Sequence, residues 1–318
     1  MKVQALERAW ESGVAMRVII TGATGFIGRA LCQELGRDYE VIALSRNAES
    51  AQQSIGDAAK VVQWDARTPA GWDRDADGAH AIINLAGENL ASGRWSQARK
   101  SRILQSRLDA VKAVVETVKR LHNKPKVVIL ASAIGYYGPR QDEQLDEAST
   151  PGEGFLANVC RQVEHSAEEF ENLGVRCVVI RTGVVLGRGG GALPRLILPF
   201  RLYLGGHLGS GGQWFSWISL KDEVAAIRFL VENEHLRGVF NLTAPKPVTM
   251  KEFCQILGKV LNRPAWLNVP AFAARLALGE MADEMLLSGQ RVLPTRLQAA
   301  GFKFRYPDLE KALSDILN

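Results

Sequence analysis

The chain has 318 residues, enough for one large domain or two modest ones. Hydrophobic residues make up 47% of it, which excludes a disordered chain, and no apolar run is long enough to span a bilayer. The net charge of +5 is mild, so it suits an anionic ligand such as a nucleotide and does not require nucleic acid.

Residues 1–15, MKVQALERAWESGVA, carry Glu7 and Glu11 and have no apolar h-region, so they do not read as a secretory signal. Met16 immediately precedes the first strand-like run. The expectation is a natural start at Met16, with 1–15 an N-terminal extension. The four cysteines, Cys32, Cys160, Cys177 and Cys254, form no CxxC pair. Neither a disulfide framework nor a metal site is expected, and a reducing, cytoplasmic setting fits.

Val18–Thr21 reads as the first strand and is followed by TGATGFIG, residues 21–28, at the start of a helix to Leu35. The glycines at 22, 25 and 28 suit a tight turn, a close backbone approach to a pyrophosphate and close helix–strand packing. A helix N-terminus then offers free N–H groups to phosphate. The loop nominates Gly22, Thr24, Gly25, Phe26, Ile27 and Gly28 for a dinucleotide; a turn without ligand is the alternative. The second strand, Val41–Leu44, ends in Ser45, Arg46 and Asn47 with no acid. An NAD site places Asp or Glu there. Arg46 suits a 2′-phosphate, which selects NADP (NADPH), unless it is an ordinary loop arginine.

The third strand, Val61–Trp64, leads to Asp65 and Ala66, with Asp65 a candidate for the adenine amino group. The fourth, Ala81–Leu85, leads to Ala86 and Gly87, small residues that let a nucleotide lie close, and to Glu88 just beyond them, a candidate for the same site or a solvated loop acid. Ordinary strand-end turns would read the same way. A basic helical stretch, Gln97 to Leu121, follows; its arginines do not alternate with aromatics, which argues against nucleic acid. Val127–Ala131 is the fifth strand, a helix runs from about Phe155 to Asn172, and Val175–Ile180 is the sixth strand. Continuous apolar strands separated by helices imply a parallel, doubly wound Rossmann-type α/β sheet.

After Arg181 the texture changes. Residues 187–212 are glycine-rich, WISLKD and GVFNLTAP give two further strands, and the rest is mainly helical with breaks at Pro264, Pro270 and Pro294. Asp222 reads as an N-cap or first-turn acid. The expected division is an NADP-binding domain over 16–186, with segments returning near 214–245, and a smaller substrate lobe and C-terminal extension over 187–318.

Taken together, TGATGFIG, AGENLASGRW (86–95), SAIGYYG (132–138), RTGVVLG (181–187) and GQRVLPTRLQAAGFKFRYPDLEKAL (289–313) resemble the extended short-chain dehydrogenase/reductases. The likeness is to the atypical, NAD(P)-dependent epimerase/dehydratase-like group with its own C-terminal extension. It implies a bound NADP(H), a substrate pocket under the C-terminal lobe, and backbone at Thr182, Gly183 and Val184 near a nicotinamide carboxamide. Ala131 ends the fifth strand beside the same site.

Ordinary members of that superfamily use a Tyr-x-x-x-Lys pair. Here those positions fall on Leu156 and Cys160, or one residue earlier on Phe155 and Val159, so neither phenol nor amine is present. Ser132 and Tyr137 are the replacement candidates for handling a proton; a serine bonded to backbone and a tyrosine packed against the lobe are the alternatives. Arg107 stands where ordinary members carry asparagine and is a candidate for the cofactor or substrate. The leading expectation is an NADP(H)-binding epimerase- or reductase-like enzyme on a small polar substrate, a sugar nucleotide being one candidate. The other is a regulator or scaffold that binds NADP(H) and has lost chemistry. No membrane or nucleic-acid partner is expected, and the chain is read as a monomer or homodimer.

Overall fold

The computed structural model describes residues 16–318, and the expected extension at 1–15 lies outside the described residues. Arg17–Thr21 (β1) begins the fold, and its Val18, Ile19 and Ile20 are all fully buried. An apolar run without polar alternation is what a strand covered on both faces needs. Phe26–Leu35 (α1), Glu40–Ser45 (β2), Ala48–Ile55 (α2), Lys60–Gln63 (β3) and Ala81–Asn84 (β4) continue the βα alternation. Gln97–Arg120 (α3), Val127–Ala133 (β5), Phe155–His165 (α4) and Arg176–Thr182 (β6) follow. Beyond them come Val184–Leu186 (β7), Leu193–Arg201 (α5), Trp217–Ser219 (β8), Leu220–Glu232 (α6) and Gly238–Leu242 (β9).

The central sheet has seven strands in the order β9-β6-β5-β4-β1-β2-β3, and each neighbouring pair is parallel. The chain winds outward from β1 in one direction to β3, then returns to β4 and winds the other way to β9. That reversal leaves a crevice at the carboxyl ends of β1 and β4. One face of the sheet packs Ile20, Ile129 and Ile180 against Leu31 of α1 and Ile227 of α6. The other packs Ile19, Ile42 and Val128 against Val114 and Val118 of α3. Burial of each such side chain contributes about 1.5–3 kcal/mol.

A third core, with Leu193, Phe200, Trp217, Phe253 and Leu257, holds the outer part together, including Met250–Leu261 (α7). Thr249 starts α7 with a capping box shared with Glu252. At α6 the N-cap is Ser219, which accepts from the Asp222 N–H. Asp222 is the first-turn acid, and its carboxylate also accepts from the Arg305 and Tyr306 N–H groups. Leu297 and Phe302 are buried in the same cluster as β1, so the end of the chain returns to the Rossmann sheet.

The helix expected over Phe155–Asn172 is two helices, α4 and Ala167–Asn172, which meet at Ser166. The Ser166 N–H bonds to Val163 and the Glu169 N–H to Ser166, both one residue tighter than α-helical bonding. The Ser166 hydroxyl also bonds back to the Gln162 carbonyl at 3.5 Å. Serine back-bonding of this kind favours a bend, here in a stretch that periodicity alone would run through.

Candidate nucleotide and substrate site

At the end of β1 the chain turns through Gly22, whose φ of +66° favours glycine. A Cβ there would sit 2.7 Å from the Leu85 carbonyl carbon and oxygen, and one at Gly28 would sit 2.4 Å from the Gly22 oxygen. These two glycines let β1, β4 and α1 close on one another. The Gly25 N–H donates to Gly22 O at 2.9 Å, and Gly25 is the N-cap of α1. No side chain caps that helix, and its first turn holds no acid. An uncapped, acid-free N-terminus is an anion site in waiting.

A cleft of about 490 Å³ runs over these strand ends. Gly22, Thr24 and Gly25 line it after β1, Ser45, Arg46 and Asn47 after β2, Ala66 after β3, and Leu85, Ala86, Gly87 and Glu88 after β4. Arg46 is exposed and makes no ion pair among the described residues. Its main-chain carbonyl accepts from Gln63 Nε2 at 2.6 Å, which fixes the loop. Arg29, Ser50 and Trp64 line the same cleft and were not expected from the sequence. Ser50 was findable, since Asn47 caps α2 by accepting from its N–H and so turns the helix start toward Arg46.

A second cavity, of about 290 Å³, shares Leu85, Ala86 and Gly87 with the first, so the two meet over the end of β4. Arg107, Ala131, Ser132, Thr182, Gly183 and Val184 all line it. The Arg107 guanidinium lies against Gly87, where a Cβ would come within 2.9 Å of its Cζ. Its Nη1 donates to the Ile103 and Glu88 carbonyls at 2.9 and 3.2 Å. Burial lowers its pKa.

Ser132 Oγ donates to Glu164 Oε1 at 2.6 Å, and Glu164 takes both Arg181 Nε and Nη2 at 3.0 and 2.7 Å. Burial works against the Arg181 charge, but the bonds to Glu164 override it and raise its pKa. Neither Glu164 nor Arg181 was expected as a site residue. The signal was an arginine next to the end of the mostly apolar strand RCVVIRT, which has to find a buried partner.

Several expectations are corrected. Tyr137 does not face the cavity. The 3₁₀ turn Ile134–Tyr137 carries its ring into the core, fully buried, where the hydroxyl donates to Asn241 Oδ1 at 2.7 Å and accepts from Arg181 Nη1 at 2.9 Å. Burial pushes its phenol up to about 12, far from a proton donor near neutrality. Asp65 does not line the cleft either. Its carboxylate closes its own turn, accepting from the Arg67 and Thr68 N–H groups at 2.8 Å each and from the Thr68 hydroxyl at 2.9 Å. The Ile27 side chain packs inward on the core beside β1. Phe26 turns away to lie against Gly187, Gly190 and Gly191.

Leu156 and Cys160, at the positions expected for a tyrosine and a lysine, both line the cavity. Burial raises the Cys160 thiol, which therefore holds its proton. Beneath Thr182 lies a residue that sequence reading missed. Glu223 is fully buried, accepts from Thr182 Oγ1 at 2.8 Å, and leaves Oε2 without a partner. Burial pushes its carboxyl up to about 8. Among the described residues no group of three or more acids, histidines and cysteines could hold a metal, and no helix is long and apolar enough to cross a membrane.

Comparison with known proteins agrees with this architecture. The model of the NAD dependent epimerase/dehydratase family matches residues 18–243, and a domain of unknown function, DUF1731, matches 269–316. The chain is 42% identical over 304 residues to an Arabidopsis thaliana protein named epimerase family protein SDR39U1 homolog, chloroplastic, covering 95% of this chain and 87% of that one. It is similar to the crystal structure of human epimerase family protein SDR39U1 (isoform2) with NADPH, with a TM-score of 0.81, 35% identity, and 95% and 99% of the two chains covered. It is also similar to a nucleoside-diphosphate sugar epimerase from Corynebacterium glutamicum, with a TM-score of 0.76 and 32% identity over 99% of this chain and 61% of that one. With the fold, the glycine turn and these matches in agreement, the chain belongs to the NAD dependent epimerase/dehydratase family.

Proposed function

We propose that the chain binds NADP(H) across the switch-point crevice and interconverts a carbonyl and an alcohol in the adjoining cavity. One observation carries the cofactor reading. The cleft is lined by an uncapped helix N-terminus and by the unpaired Arg46, with no acid at the end of β2. The first suits a pyrophosphate and the second a 2′-phosphate rather than a free 2′-OH. Gly22, Thr24, Gly25, Ser45, Arg46, Ala66 and Leu85–Glu88 would hold the nucleotide, and Ala131 and Thr182–Val184 would flank its nicotinamide. The human relative crystallised with NADPH supports this reading.

The cofactor supplies a hydride donor or acceptor. Ser132 handles the proton: its hydroxyl hydrogen points at Glu164, so its oxygen offers lone pairs to the cavity. In the oxidising direction a substrate hydroxyl donates to Ser132, and its proton leaves along the Ser132–Glu164 bond as the carbon–hydrogen bond gives up its hydride. Reduction runs the same path backwards. Arg107 sets the substrate oxygen against that pair. Four free, buried cysteines suit a reducing, cytoplasmic compartment.

Calorimetric titration with NADPH and NADH tests the cofactor, and single-turnover nicotinamide absorbance with Ser132→Ala tests the chemistry. A second reading rests on Leu156 and Cys160, which supply neither phenol nor amine. They fit a regulator that binds NADP(H) without turnover. Nicotinamide that binds but is never oxidised or reduced, while changing affinity for a protein partner, would select it.

A further inference from the structure

The substrate cavity has the wrong walls for a sugar. From α4 it is lined by Leu156, Val159, Cys160 and Val163, and Phe215, Met250 and Leu286 line it as well. A nucleotide sugar presents many hydroxyls and a diphosphate, each of which needs a partner when water is removed. The side-chain donors here, the Gln290 amide and Arg107 apart, are already committed to the protein. Ser132 donates to Glu164 and Thr182 to Glu223. Gln213 spends its amide on the Leu208 and Leu286 carbonyls. Ser216 donates to the Gln290 carbonyl and accepts from the Val292 N–H, and Ser288 donates to the Asp283 carbonyl.

The one carboxylate on the wall, Glu284, is occupied too, accepting from the Phe155 and Leu156 N–H groups at 3.0 and 3.2 Å. What remains to donate is the Gln290 amide and a single cation, Arg107, which makes no ion pair among the described residues and bonds only to main-chain carbonyls, while the Ser132, Thr182 and Gln213 oxygens can only accept. One cation cannot balance a diphosphate and also leave a hydroxyl-rich ring satisfied.

We propose that the cavity takes an apolar ligand, aliphatic or aryl, that carries one carbonyl or carboxylate oxygen for Arg107. This rests on the reading of the neighbouring cleft as the NADP(H) site, and it replaces the small polar substrate with a hydrophobic one. Leu156 and Val159 set the specificity, because they turn the wall that would carry a phenol into one that excludes water. Met285, 36% exposed and lining the same cavity, puts an apolar side chain at its mouth.

The test is calorimetry on the full chain, first with NADP⁺ and then, at saturating NADP⁺, with straight-chain carboxylates from butanoate to decanoate and with UDP-glucose. Affinity is expected to rise about fourfold per added methylene until the cavity fills. UDP-glucose is expected to bind more weakly than decanoate. Arg107→Met should weaken decanoate at least tenfold, and Leu156→Asn should flatten the chain-length series; thermal melting reports whether either variant is folded. The wild-type series decides the question without them. UDP-glucose binding tighter than decanoate, no dependence on chain length, or no binding of any of these compounds would overturn the proposal. If NADP⁺ does not bind, the cofactor reading falls, and the same series run without nucleotide separates the two: a chain-length gain there still supports an apolar cavity, and its absence overturns it.

Discussion

Ser132 and Arg181, on neighbouring strands, are joined through one carboxylate: Glu164 accepts from the serine at 2.6 Å and grips the arginine at 3.0 and 2.7 Å. The guanidinium in turn lies over the Tyr136 ring, 3.4 Å from its centroid, and holds the Tyr137 hydroxyl. The polar cluster behind the cavity is thus a closed set of bonds with one edge, Ser132, on the cavity wall.

Removing the carboxylate charge leaves the Arg181 guanidinium, 4% exposed, without its counter-ion. Glu164→Gln is expected to destabilise the fold by about 3 kcal/mol, in the range for breaking a buried ion pair from one side. Urea denaturation measures it. A change under about 0.5 kcal/mol, the usual range for a surface substitution, would show that the pair is not buried as described.

Arg46→Ala should weaken NADPH by roughly 10- to 100-fold, the loss of one charge-assisted contact of about 1.5–3 kcal/mol, while NADH is unaffected. Parallel calorimetric titrations of the two nucleotides read the difference. Equal weakening of both would mean that Arg46 shapes the loop without reading a 2′-phosphate.

Gly22 and Gly189 both have positive φ, +66° and +76°. A Cβ at Gly189 meets nothing within 4 Å, whereas one at Gly22 runs into the Leu85 carbonyl. Gly189→Ala should therefore cost only the backbone term, about 1–2 kcal/mol. Gly22→Ala should cost clearly more and abolish nucleotide binding. Melting temperatures of the two variants, compared side by side, check the ordering.

Glu223 keeps its proton in the folded protein up to about pH 8, while in the unfolded chain it loses it in the ordinary carboxyl range. Between those limits the folded state binds the extra proton, so stability falls as pH rises. Glu223→Gln cannot ionise. It is expected to flatten stability across that window and to be relatively more stable than the parent at its alkaline end. Denaturation at pH 5 and pH 8 decides it, and an unchanged slope in the variant would assign the pH dependence elsewhere.

Glu284 caps a helix that begins 129 residues earlier in the chain. Gly154, the N-cap of α4, has no side chain, and the Glu284 carboxylate takes that role. Glu284→Ala should cost about 1 kcal/mol, typical of a lost N-cap. It should also loosen the cavity, seen as weaker binding of any ligand that reaches Leu156. Stability unchanged within about 0.3 kcal/mol would remove the capping argument.

What was legible in the sequence is what is local. The run RVIIT and the spacing of Gly22, Gly25 and Gly28 specify a strand, a turn and a helix from neighbours in the chain. A parallel sheet then brings the ends of its strands to one edge, so Ser45, Leu85 and Thr182 reach the same edge, Leu85 lining both cavities, without any long-range information. What was not legible depends on direction and distance. A 3₁₀ turn of four residues decides whether Tyr137 points to the cavity or the core, and composition does not reveal it. The bond from Glu164 to Arg181 spans 17 positions and two elements, and the Thr182–Glu223 bond spans 41. Ser166 looks harmless in a helical pattern until its hydroxyl turns back on the preceding turn.

The Glu284 cap also bears on how such a chain can be cut or recombined. The two stretches matched by separate families, 18–243 and 269–316, look like exchangeable parts on a linear map. In space the second finishes a helix of the first, supplies Met285 and Leu286 to the cavity, and buries Leu297 and Phe302 under the first sheet. A graft that joined this front half to another tail would inherit an uncapped α4 and a pocket missing one wall. The two stretches therefore have to travel together, and ligand preference is a property of their seam.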